Sequence, residues 1–500
     1  MAVPGEVRGA AFAAGVTLAV GALALNQALV GVFYDDGLYA SLATALANGL
    51  GYAHPNLPGT PAAVHYPPLY PIVLAPLFGL FSVDGAALAA KLLNALLGAA
   101  AAGLIAWHAT KTALLGPTAP RWLAPVIVGG AAVAIPVLAT QTVLFAEPLF
   151  AVLLAVVVIL ADRGDRPWIL GIAAALMLLT RSIGIAGAAG AAVFLISRAP
   201  SGGEKHRPLV AVLLPVITAA LAWSAWVRAH QQAIDPELAL GYGNYSAHLS
   251  QAGLTAVAVN VPDLSRPLEA ITLGWIPLRW LYHILATAAL GIGLYGVAVL
   301  ARRSVIGLTI IFYLLILAVW PHPPDRFLWA VLPWLALAWA AGALELWRRW
   351  PRVRLPLGLL VTLIVGGYLN YEIRGFAGRW WDAQARNIST NFAELLPVVQ
   401  ALPDSAVLAS DDEALVWLYS RRQSVPLYLE RYRGRDLITP TPAEHRAYLD
   451  RMRVTHVLLA SSSSPSARQL KALLDAYPRL FTALYRWPDG RWLFAVNRGP

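Results

Sequence analysis

The run Tyr34-Asp35-Asp36-Gly37-Leu38-Tyr39 places two adjacent carboxylates directly after a long apolar stretch, with no Lys or Arg nearby in sequence. Ionised carboxylates are costly to take out of water, so a pair at such a boundary is hydrated, partnered or functional. Asp is also favoured at helix N-termini and Leu38 to Leu46 reads as helical, so a capping role stands beside a chemical one. Farther on, Glu147 in Phe145-Ala146-Glu147-Pro148-Leu149 is an acid inside an apolar run, which makes it a candidate functional group. Arg181 in Leu179-Thr180-Arg181 and Arg326 in Pro324-Asp325-Arg326-Phe327 are isolated guanidiniums, suited either to stabilising an anion or to snorkelling to an interface. His54 and His322 lie beside prolines, where a histidine is more often a surface or capping residue than a ligand. The absence of cysteine excludes disulfides, Cys-ligated metals and thiol nucleophiles.

The elements that must position these groups are membrane helices. Hydrophobic residues make up 58% of the 500 and charged residues only 13%, against about 25% charged in soluble domains. At about 20 apolar residues per crossing, runs near 10–30, 85–108, 122–140, 143–160, 168–180, 183–197, 209–229, 275–300, 305–320, 327–346 and 355–369 predict about eleven helices. The first is read as an uncleaved helix, because its apolar run continues past the small-residue site at Ala22-Leu23-Ala24. With the N-terminus in the cytoplasm, Lys111 and Arg121, Arg163 and Arg166, Arg198 with Lys205 and Arg207, Arg302 and Arg303, and Arg348 to Arg354 all fall inside. The stretch from Tyr34 to Asp84 has neither Lys nor Arg, and that from His230 to Gly274 has only Arg266, so both fall outside. The net charge of +10 is thus explained by orientation signals, with no aromatic-interleaved basic stripe for nucleic acid. Trp residues at helix ends fit an interfacial belt.

The expected organisation is a polytopic, mainly α membrane bundle over 1–371, carrying a catalytic outer loop at 31–84, followed by an extracytoplasmic α/β domain over 372–500. In that tail a helical pattern (Asn387 to Leu402) alternates with short apolar runs, Ala406 to Ala409, Val425 to Leu429, Thr455 to Ala460 and Trp492 to Val496. Ser461 to Ser466 reads as a polar loop. Gly241-Tyr242-Gly243-Asn244-Tyr245 reads either as part of a cleft for an acceptor or as a flexible turn.

The outer loop continues through an amphipathic helix, Gly49-Leu50-Gly51-Tyr52, and His65-Tyr66-Pro67-Pro68-Leu69-Tyr70-Pro71. An acidic pair just outside helix one, the Tyr at 39, the Gly-rich turn and the Pro-Pro-Leu-Tyr segment, followed by the motifs at 145–149, 179–181 and 324–327, resemble the GT-C superfamily of membrane glycosyltransferases. The pattern is most similar to the bacterial aminoarabinose transferase and protein mannosyltransferase families, over the region up to about Tyr371. The resemblance implies a sugar donor carried on a polyprenyl phosphate, a lipid, glycan or protein acceptor, and a location in the bacterial cytoplasmic membrane. It puts Asp35 at the family's catalytic position as general base, with Asp36 where the family often has Glu. It further implies Arg181 and Arg326 as partners of the leaving phosphate, and Glu147, His65, Tyr39, Tyr70 and His322 as substrate-binding candidates. Relatives often carry Lys before the Pro-Pro pair, where this sequence has His65 and Tyr66. Some members of the superfamily use a divalent cation and others do not, and Asp35, Asp36, Glu147 and His322 read either way, so no metal or cofactor follows.

Two competing readings remain at this level. A transporter or flippase of lipid-linked saccharide predicts internal repeats and midplane charges, and neither is seen. A non-catalytic scaffold accounts for the tail but leaves the acidic and basic residues of the outer turns unexplained.

Overall fold

The computed structural model describes residues 4–198, 206–245, 255–320, 323–433 and 436–497. It is 71% helical and divides into two compact units. The first comprises Met1–Leu25, Lys91–Trp223 and Gly253–Trp381; the second comprises Asn26–Ala90, Ser224–Ala252 and Asp382–Pro500.

The first unit is the apolar bundle. Among the described residues five helices are long and apolar enough to cross a membrane, Gly5–Ala24, Val83–Lys111, Arg207–Ala233, Arg279–Arg303 and Pro351–Gly378. A bent pair, Leu123–Ala132 and Ile135–Thr142, makes a sixth if counted as one crossing. Four further apolar helices, including Pro167–Thr180 and Val305–Ala318, have only 10–17 residues, so length and composition do not establish the expected eleven. Close packing in this unit rests on small residues. A Cβ on Gly296 would lie 1.8 Å from the Ala338 carbonyl oxygen, and one on Gly342 would lie 2.3 Å from that of Ile292. Backbones of Arg279–Arg303 and Leu332–Arg349 therefore touch, the usual way apolar helices gain contact where lipid removes the hydrophobic drive between them.

The bend has a sequence cause and a tertiary remedy. Pro136 sits in the first turn of Ile135–Thr142, where its missing N–H costs nothing, whereas deeper in a continuous helix it would break the ladder. The run read as one crossing at 122–140 is consequently two helices at 57°. Backbone groups freed inside an apolar medium need partners. The helix Arg354–Gly378 provides them: the buried Glu372 carboxylate accepts the Ile135 amide at 3.0 Å, and the Tyr368 hydroxyl donates to the Gly130 carbonyl at 2.7 Å.

The second unit contains the tail domain. Strands β1 (Val407–Ser410), β2 (Gln423–Pro426), β5 (His456–Leu459), β6 (Phe481–Arg486) and β7 (Trp492–Val496) form one sheet in the order β2-β1-β5-β7-β6, while β3 (Arg431–Arg433) pairs with β4 (Asp436–Ile438). β1 runs parallel to β2 and β5, and β7 is antiparallel to β5 and β6. Three of the four apolar runs of the sequence become strands, whereas Val425 to Leu429 gives only Val425 and Pro426 to β2. Ser464, in the polar serine loop, caps the helix Pro465–Ala476. The helix Ala383–Gln400 packs Phe392, Leu395 and Val399 into a core with Leu408, Leu415 and Leu458, and Val32 of the first loop is buried in that same core. Asp35–Ala47 and Leu69–Leu80 pack on each other in this unit, and Arg431 and Arg451 pair with Glu237 (2.7 Å) and Asp235 (3.0 Å).

Candidate active site

In the second unit the acidic turn is a built object. Asp36 is 1% exposed. One of its carboxylate oxygens accepts the amides of Gly31 (2.8 Å) and Val32 (3.3 Å), and the other accepts that of Phe33 (2.8 Å). Burial pushes the Asp36 carboxyl up, and the backbone amides pull it down by less. Asp36 therefore folds the loop back onto the start of the helix Asp35–Ala47, in the manner of a cap extended backwards. The turn admits no bulk: Gly31 has φ +99°, and a Cβ there would lie 2.6 Å from the Leu415 Cβ.

Asp35 is the neighbouring carboxylate and has a different partner. The Tyr66 hydroxyl donates to its Oδ1 at 2.6 Å. Burial, then the Asp35 charge, holds the Tyr66 phenol far above its ordinary value, so it stays a neutral donor. Tyr66 packs against Tyr39 (4.8 Å between ring centroids), and Tyr39 meets Tyr70 edge-on at 5.0 Å. Tyr39 and Tyr70 are both buried, forming the aromatic layer beneath the acidic turn. His65 lies beside Tyr66, with Nδ1 2.6 Å from the Gly243 carbonyl oxygen and its ring 4.2 Å from that of Tyr245. The Gly241 to Tyr245 segment is thus part of this cluster. Tyr242, His54 and Glu413 complete it, and of these only Glu413 has no reading from the sequence. Tyr242 is fully buried, receives the Asn56 Nδ2 donor at 2.8 Å and donates to Glu413 at 2.6 Å. Burial pushes Glu413 up to about 7. His54 is fully buried edge-on to Tyr242, and desolvation, then His65, lowers it to about 3, so it is neutral.

In the first unit the structure brings Glu147, Arg181 and Arg326 together. Arg181 pairs with Glu147 Oε1, and Arg326 Nε lies 2.9 Å from the same oxygen. The Glu147 side chain is 1% exposed, that of Arg181 10% and that of Arg326 31%. Each guanidinium lies over a phenylalanine ring at 4.4 Å, Arg181 over Phe327 and Arg326 over Phe145, where the ring quadrupole adds to the attraction. Asn94 holds the approach to Glu147 by donating to the carbonyls of Val143 and Phe145, and the Tyr313 hydroxyl donates to that of Phe327. Two guanidiniums facing one carboxylate are donors of the kind that holds an anionic group.

Two clusters therefore collect the residues singled out from the sequence: Asp35, Asp36, Tyr39, His65 and Tyr70 in the second unit, and Glu147, Arg181 and Arg326 in the first. His322 lies outside the described residues. Among the described residues no group of three or more His, Asp or Glu side chains is arranged to hold a metal ion.

The bundle and tail share their fold with solved structures of an archaeal oligosaccharyltransferase. The chain is similar to the oligosaccharyltransferase of Archaeoglobus fulgidus solved with zinc and sulfate, at 12% identity and TM-score 0.51, over 98% of this chain and 73% of that one. It is also similar to the Archaeoglobus fulgidus oligosaccharyltransferase AglB in complex with an inhibitory peptide and a dolichol phosphate, at 12% identity and TM-score 0.50, over 99% of this chain and 74% of that one. ArnT of Cupriavidus metallidurans bound to undecaprenyl phosphate aligns over 98% of both chains, with 16% identity and TM-score 0.47. No protein-family model matches the sequence, and no curated protein matches it significantly. The chain is a multi-pass membrane protein.

Proposed function

We propose that the protein transfers a sugar from a polyprenyl-phosphate donor to an acceptor hydroxyl at the extracytoplasmic face of a bacterial cytoplasmic membrane, with Asp35 as general base. The observation that carries the reading is a division of labour between two adjacent carboxylates. Asp36 is spent on the backbone amides of its own turn, whereas Asp35 receives the neutral Tyr66 phenol. In the reaction Asp35 takes the proton of the acceptor O–H as that oxygen bonds to the anomeric carbon. The bond from that carbon to the phosphate oxygen breaks, and the polyprenyl phosphate leaves with the electron pair. The cationic cluster of Arg181 and Arg326, balanced by Glu147, offers the charge such a phosphate requires. Tyr39, Tyr70 and His65 line the acceptor or sugar site, and transfer is of a hexose or pentose. Support comes from the GT-C fold and from the lipid phosphate bound by the archaeal neighbour.

The topology that goes with this reading has the N-terminus in the cytoplasm and residues 31–84 and 372–500 outside, following the Lys and Arg bias. The test uses purified protein in lipid nanodiscs, a panel of undecaprenyl-phosphate monosaccharides and a membrane extract as acceptor, with release of undecaprenyl phosphate followed by mass spectrometry. At least one donor is consumed by the wild type, and Asp35→Asn lowers the rate by about 100-fold or more. Unchanged turnover in Asp35→Asn refutes the assignment. Movement of the intact donor across liposomes without transfer favours a flippase instead.

A further inference from the structure

Three consecutive residues of the tail helix Glu413–Ser420 are applied to the two flanks of Asp35. Upstream, Leu415 presses on Gly31, and downstream Ala414 presses on Gly37, where a Cβ would lie 2.8 Å from the Ala414 Cβ. The third residue, Glu413, is 1% exposed and accepts the Tyr242 hydroxyl at 2.6 Å. Asn56 donates to that hydroxyl from the other side, so the phenol is fixed by one acceptor and one donor. The Tyr242 ring then stands edge-on to Tyr34 at 6.0 Å and 82°. Tyr34 itself packs onto Gly241, where a Cβ would lie only 2.0 Å from the Tyr34 hydroxyl oxygen.

Tyr34 is the residue immediately before Asp35, and its φ is +50°. An L-residue pays about 1–2 kcal/mol for the left-handed half of backbone space and stays there only when its surroundings over-determine it. Here the surroundings are Tyr242 and Gly241, and Tyr242 is held by a carboxylate that the C-terminal domain has buried. A buried carboxylate is costly unless it does hydrogen-bonding work. Glu413 spends that cost on one phenol, two side chains away from Asp35.

We propose that Glu413 of the C-terminal domain is a positioning residue for Asp35, acting through Tyr242 on the strained turn at Tyr34. The domain is therefore an integral part of the catalytic turn and not an appended binding module. This rests on the reading of Asp35 as the base, and the experiment separates the two.

Full-length protein in nanodiscs is compared as wild type, Glu413→Ala, Glu413→Gln, Tyr242→Phe and Asp35→Asn. One measurement is hydrogen exchange of the peptide 30–38; the other is kcat and KM for an undecaprenyl-phosphate monosaccharide that the wild type consumes. In Glu413→Ala, exchange in 30–38 rises about tenfold, and kcat falls about tenfold while donor KM changes by less than about threefold. Glu413→Gln, whose amide oxygen still accepts the Tyr242 O–H, recovers most of the loss. Tyr242→Phe keeps the ring and loses the bond, so it repeats the effect if Glu413→Ala does not fold. Unchanged exchange in both Glu413→Ala and Tyr242→Phe overturns the proposal, as does raised exchange with unchanged kcat. Full turnover in Asp35→Asn defeats the base assignment alone, and the exchange measurement then decides by itself whether Glu413 holds the turn.

Discussion

Replacing Glu147 by alanine is expected to destabilise the bundle by about 3–5 kcal/mol, the cost of leaving a buried charge without its partner. The magnitude follows from burial. The Arg181 side chain is 10% exposed, so removing the Glu147 carboxylate takes an ion-pair partner from a guanidinium that water scarcely reaches. Arg326, at 31% exposure, can rehydrate. Its own removal is therefore expected to cost only about 1 kcal/mol, from a partly screened ion pair and one ring contact. The assay is unfolding of the purified protein in mixed micelles by SDS titration, read by tryptophan fluorescence, with Glu147→Ala, Arg326→Ala and the double variant. The double variant should be no better than Glu147→Ala, because the buried Arg181 still lacks the Glu147 carboxylate. A cost below about 1 kcal/mol for Glu147→Ala, or one equal to that of Arg326→Ala, would refute the reasoning. Glu147→Gln removes one negative charge beside the two guanidiniums, so undecaprenyl phosphate should bind at least as tightly as to the wild type, whereas Arg181→Ala should weaken it.

Gly31→Ala should destabilise the chain by about 2–4 kcal/mol, since it combines φ +99° with backbone of Leu415 at 2.8 Å, and thermal unfolding checks it. Glu413 predicts a pH dependence. Its folded pKa, about 7, is raised above the ordinary 4.5, so its contribution to stability is fully present below about pH 4.5 and is lost as pH rises through 7. The full span is on the order of 3 kcal/mol. The gap in unfolding free energy between wild type and Glu413→Gln should therefore move in favour of Glu413→Gln by up to that amount between pH 5 and pH 8; a pH-independent gap would contradict it.

What the sequence determined by itself is local. Hydropathy marks the membrane helices, because lipid solvation acts residue by residue. The short apolar runs around Val407–Ser410 and Trp492–Val496, bounded by turn residues, mark strands, and Ser461 to Ser466 marks a polar loop. The acidic pair, Glu147 and the two arginines were visible because charge in an apolar setting is conspicuous wherever it falls. Tertiary structure decided which partner each of these polar groups meets. That Asp36 is consumed by backbone amides is a matter of how the chain reverses at Gly31, and that Glu147 meets both Arg181 and Arg326 depends on which helices are neighbours. Glu413 gave no signal, since one acid among Asp411, Asp412 and Glu413 looks like a solvated helix start until Tyr242 arrives from far earlier in the chain. Periodicity reports which face of an element is apolar; only packing determines which polar atoms end up within 3 Å of one another.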